Sequence, residues 1–178
     1  MTIAKVFLTT LLTGVSAVAL AAGDKISADD FVKKAGEAGA AEVAMGQYGA
    51  EHATDASVKA FAERMVKDHT KANKELMTAA EAKGLKVPTE PGMTHKAMME
   101  KFEHQKADAD FDHDFMKQMV KDHEGAVELF RKASADTTLD ADLRSLAKKT
   151  LPTLEDHLAA AQKLEAKTNT KEKISKDE

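Results

Sequence analysis

Between Ser27 and Glu165 apolar residues recur every three or four positions, and one strongly helix-breaking stretch interrupts them, Val87-Pro88-Thr89-Glu90-Pro91-Gly92. That pattern restricts the chain to packed helices. Three prolines and nine glycines leave long runs without breakers. Aromatics at 4%, with no Trp, disfavour sandwiches and barrels, which need β-branched and aromatic strands. The abundant Ala, Leu, Met, Glu and Lys are the best helix formers.

Four long stripes follow. The first starts at a Ser27-Ala28-Asp29-Asp30 cap and runs through Phe31, Ala35, Ala38, Glu42, Met45 and Gly49 to about His52. Thr54-Asp55 or Asp55-Ala56-Ser57 caps the second, which carries Val58, Phe61, Met65, Ala72, Leu76 and Ala79 and stops at Gly84. Met93 to Gln105 reads as a short helix, and Asp108 to Asp110 as a break or cap. The third long stripe holds Phe111, Phe115, Met119, Ala126, Leu129, Phe130 and Ala133. After Asp136-Thr137-Thr138 the fourth holds Leu143, Ala147, Leu151, Leu154, Leu158, Ala161 and Leu164, with a kink expected at Pro152. The fold class is therefore all-α. We expect an antiparallel four-helix bundle over residues 27–166, with a short extra helix between the second and third long ones.

The ends read differently. Lys5, the apolar run Val6 to Leu20 and Ala19-Leu20-Ala21 have the order of a signal peptide, residues 1–21. The run is about 15 residues, short of the roughly 20 that span a bilayer. A linker at 22–26 would follow cleavage, and the mature protein would lie in the periplasm. The charged end, residues 167–178, has little to bury and is expected to be mobile. No later run is long enough to span a membrane. A net charge of −4 argues against nonspecific nucleic-acid binding, which needs basic patches. The absence of Cys excludes disulfides, thiolate metal sites and covalent c-type haem.

The pentad Met-Val-Lys-Asp-His occurs at Met65–His69 and again at Met119–His123, with Phe61 and Phe115 ahead of each at the same distance. Helical angles place Asp68, His69, Asp122 and His123 beside the centres of their stripes, Glu42 near the centre of the first, and His157 on the fourth. Counting residues to a shared bundle end gives one polar layer of Glu42, Asp68, His69, Asp122 and His123, with His157 about one turn deeper. Carboxylates and imidazoles converging from facing helices are how bundles hold iron, manganese, zinc or copper. A metal-free hydrogen-bonded network that fixes helix register is the alternative.

Six of the seven histidines directly follow an acid. Neighbours on a helix diverge by about 100°, so such a pair cannot easily chelate one ion. It can orient an imidazole of the next helix. A softer group, Met93, His95, Met98 and Met99, has the ligand types of a periplasmic copper site, or else packs a short helix onto the bundle. Noncovalent haem between a Met and a His has no specific signal, and neither has any catalytic motif. Without one, the chain reads as a binding or structural protein, with an envelope protein as its candidate partner.

Phe31 through the Glu42 helix, Val58-Lys-Ala-Phe-Ala-Glu-Arg-Met-Val-Lys-Asp-His69, Phe111-Asp112, Met119-Val-Lys-Asp-His123 and Leu151-Pro-Thr-Leu-Glu-Asp-His157 resemble the bacterial domain-of-unknown-function 4142 family. The resemblance covers about Ser27 to Glu165. It implies an exported, ferritin-like helical bundle and no established activity. Di-iron bundles of that type carry Glu-x-x-His on two helices. In this chain Val66, Val120 and Leu154 stand three residues before His69, His123 and His157, which speaks against di-iron chemistry.

Overall fold

The computed structural model describes residues 25–176; the signal peptide read at residues 1–21 lies outside them. The described residues form five helices: α1 (Ala28–His52), α2 (Ala56–Glu81), α3 (Met93–Glu103), α4 (Ala109–Ala135) and α5 (Ala141–Lys176). Short polar side chains start four of them by accepting otherwise orphaned backbone N–H groups. Ser27 Oγ accepts from Asp30 N at 3.0 Å, and Asp55 Oδ1 from Ser57 N at 2.8 Å. Asp108 Oδ1 accepts from Phe111 N at 3.1 Å and Asp140 Oδ1 from Asp142 N at 2.9 Å. Gly84, at φ 70°, adopts the left-handed conformation that ends α2. Helix α5 passes through Pro152 without stopping.

The two ends of the bundle are fixed by polar contacts. At one end Asp112, buried near the start of α4, accepts from Thr54 N at 2.9 Å and Asp55 N at 2.7 Å, in the α1–α2 corner. Lys167 of α5 reaches Asp55 at 3.1 Å at that same end. At the other end Ile26 N donates to Asp136 Oδ2 at 2.9 Å, and Lys83 pairs with Asp140 and Asp142 at 2.8 Å. The α1–α2 and α4–α5 corners therefore lie at opposite ends, which corrects the shared end assumed from the sequence.

Helices α2 and α4 run parallel on one diagonal, α1 and α5 on the other, and every neighbouring pair is antiparallel. The chain returns between α2 and α4 through one long crossover that contains α3, the connectivity of ferritin-like bundles. Val87 and Pro88 of this crossover press on Gly36, where a Cβ would meet Val87 Cγ1 at 2.7 Å. Tyr48 then fastens α3 to α1 by donating to Phe102 O at 3.0 Å.

Two apolar clusters fill the interior. Met45, Phe61, Met65, Phe111, Phe115 and Met119 pack in one half, and Phe31, Val32, Leu76, Ala133, Leu143 and Ala147 in the other. Helix α5 continues into the charged end as far as Lys176; there Thr168 is buried and Lys167 is tied to Asp55 of the α1–α2 corner.

Candidate metal centre

Between the two apolar clusters each long helix contributes one buried ionisable side chain: Glu42 from α1, His69 from α2, His123 from α4 and His157 from α5. The three imidazoles form a near-equilateral triangle, with ring centroids 5.5 Å apart for His69–His123, 5.4 Å for His69–His157 and 5.4 Å for His123–His157. One donor nitrogen from each lies within 4.8 Å of the others. His157 therefore belongs in the layer and not one turn below it. Because the α4–α5 corner lies at the opposite end of the bundle, depth along α5 counts from the level of Lys167, and all four side chains lie about 10 to 14 residues in, a spread of roughly one turn.

The pentad repeat has a structural meaning. Phe61, Met65 and His69 on α2 and Phe115, Met119 and His123 on α4 are all buried, and these two helices run parallel across the core. Identical residues at identical depth thus face each other through the bundle axis.

Hydrogen bonds decide which nitrogens are free. His123 Nδ1 lies 2.9 Å from Met119 O, so Nδ1 carries the proton and Nε2 keeps its lone pair. His157 Nε2 donates to Asp68 Oδ2 at 3.0 Å, which leaves Nδ1 with the lone pair. Asp68 thus orients the imidazole of the neighbouring α5 rather than that of His69 beside it, as carboxylates behind metal-bound histidines do. His69 Nε2, His123 Nε2, His157 Nδ1 and Glu42 Oε2 are buried without a hydrogen-bond partner. Four such atoms in one layer are costly, because an unpaired buried polar group forfeits its hydration.

Burial also sets the charges. It pulls His69 down to about 3, with the neighbouring imidazoles adding to the effect, and His123 down to about 4 against the opposing bond to Met119. His157 is lowered as well, by burial working against its bond to Asp68. All three rings are neutral near pH 7, the form that coordinates a metal. Burial, with Asp122 adding, holds the Glu42 carboxyl well above the ordinary range. Glu42 Oε1 lies 3.7 Å from His123 Nδ1.

The three neutral imidazoles could hold a metal ion between them. Glu42 lies outside that group of donors, on the side of the protonated Nδ1 of His123.

The remaining sequence candidates lie elsewhere. Asp122, 12% exposed at its side chain, turns outward to His95 Nε2 at 3.6 Å and accepts from Gln118 Nε2 at 2.8 Å. The softer group is divided: Met98 and Met99 pack against the apolar core while Met93 is 83% exposed. On α3 Met93 projects about 120–160° away from His95, Met98 and Met99, so these four do not surround a common point, and the packing alternative accounts for Met98 and Met99. Asp112 entered the sequence reading only through the family motif. Its role in holding the α2 N-terminus needed the fold, although an acid on an apolar stripe was the available signal.

Comparison with curated proteins and with solved structures finds no similar chain. One family's model matches residues 13–164, nearly the whole bundle together with its approach. The chain belongs to that family, described as Domain of unknown function (DUF4142).

Proposed function

We propose that this is an exported bundle that binds one divalent metal ion through His69, His123 and His157, with the neighbouring Glu42 carboxylate turning in as the fourth donor. The observation that carries this reading is the set of four buried, unpartnered atoms on four different helices. A bound ion would satisfy the three imidazole nitrogens at once, and imidazole-rich sites suit zinc, iron or copper better than magnesium or calcium. Asp68 would hold the His157 tautomer from behind. The role is binding, in metal handling within the envelope, rather than catalysis. Export rests on Lys5, the Val6 to Leu20 run and Ala19-Leu20-Ala21. Among the described residues no helix is long and apolar enough to cross a membrane.

Untagged mature protein, stripped with chelator and dialysed against zinc, should retain one zinc per chain by elemental analysis. A His69→Ala/His157→Ala double variant should retain almost none. Background zinc in a folded wild type would overturn the reading.

A further inference from the structure

The buried centre needs a way in, and Glu42 marks it. Its side chain is 4% exposed as a residue, yet it lines two separate spaces. One is a cavity of about 30 Å³ shared with His69, deep between the helices. The other is a groove of about 510 Å³ that opens to solvent between α1, α3 and α4. Asp122 and His95 both line that groove, from α4 and α3. Their facing atoms are 3.6 Å apart, and their side chains remain 12% and 25% exposed. A carboxylate and an imidazole at that separation suit transient capture of a divalent cation. Glu42, whose Oε2 is buried and unpartnered, lines both that groove and the space beside His69.

We propose that the α1/α3/α4 groove is the loading route of the metal centre, in which Asp122 and His95 form an outer capture site for a divalent cation and Glu42 passes the ion to the three histidines. The proposal rests on the metal reading above. Lys34, Lys121 and Lys132 share the groove with Glu37 and Glu128, so opposite charges largely offset along it. Capture then depends on the Asp122–His95 pair and not on long-range attraction. The two positions serve different purposes: the inner histidines set affinity and the outer pair sets rate.

Cobalt(II) alone is the probe, because its visible absorption reports ligation by imidazole. Stopped-flow mixing of stripped wild type, Asp122→Asn and His95→Ala with cobalt(II) gives the loading rate, and an equilibrium titration gives the affinity. Each variant should load about tenfold more slowly or worse, within the range that local electrostatic capture contributes to on-rates. Affinity should stay within about twofold, since rate and equilibrium separate when a residue acts only along the route. Glu128→Gln, in the same groove, should load at the wild-type rate. Loading of both variants at the wild-type rate would overturn the route while leaving the metal centre standing. Equal loss of rate and affinity would make Asp122 or His95 part of the final site and also overturn it. A wild type that takes up no cobalt would defeat the metal reading and the route together.

Discussion

Glu42→Leu should make the metal-free protein more stable by about 1–3 kcal/mol, because it removes a buried carboxyl whose Oε2 has no partner and replaces it with apolar surface. The same variant should lose most of the stabilisation that metal confers on the wild type. At about a thousandfold excess over Kd a ligand specific to the folded state adds roughly 4 kcal/mol. For a domain of this size that is on the order of 10 °C in Tm. Melting curves in chelator and in excess zinc should therefore cross: Glu42→Leu above wild type without zinc, below it with zinc. His123→Ala should lose the zinc-dependent rise too. A metal-free polar network predicts the opposite order in chelator, since Glu42→Leu would then strand its partners. Such an exchange of stability for a binding site is common where function requires unpaired groups.

The second large effect is on acid stability. Near pH 6.5 the unfolded chain's histidines begin to take up protons, whereas in the folded protein His69 and His123 hold out to about 3 and 4 and His157 is also lowered. The unfolded state then binds more protons, so stability falls as pH drops below about 6.5 and goes on falling to about 4. Glu42 works the other way. Its raised carboxyl keeps a proton in the folded state that the unfolded chain has lost above about 4.5, so its contribution is lost as pH rises toward the folded value. Between about 4.5 and 6.5 the three imidazoles outweigh the one carboxyl, with a net slope on the order of 2 kcal/mol per pH unit. Urea denaturation of the metal-free protein should show a maximum near pH 6.5, a steep acid limb and a shallow decline above it. A flat profile from pH 4.5 to 6.5 would mean that the histidines are hydrated or already charged. Metal should remove the shallow decline, because the ion takes the place of the Glu42 proton.

Much of the fold could be read from local chemistry. Ser27, Asp55 and Asp108 start helices where the sequence placed them, and the apolar stripes became the buried faces. Periodicity, however, is blind to direction. It cannot say at which end of the bundle a corner lies, and that choice moved His157 by a turn. The available signal was the length of the α2–α4 connection, residues 82–108, which suffices to cross the bundle, whereas the α4–α5 link at 136–140 does not. Asp68 and Asp122 occupy matching places in the repeated pentads yet have different neighbours. Asp68 meets His157 of α5, while Asp122 meets His95 of α3. The repeat carried the symmetry of α2 and α4, but α3 covers one side of the bundle and breaks it. The tie between Lys167 and Asp55 was hidden from the sequence for a related reason, since the two lie more than a hundred residues apart.

X-ray absorption at the zinc edge of the loaded, untagged protein reads out whether three histidines from three helices hold one ion. Four light-atom neighbours at about 2.0–2.1 Å are expected, with the multiple-scattering pattern of three imidazoles, reduced to two in His157→Ala. A shell of oxygen neighbours without imidazole scattering, or a spectrum unchanged in His157→Ala, would contradict it.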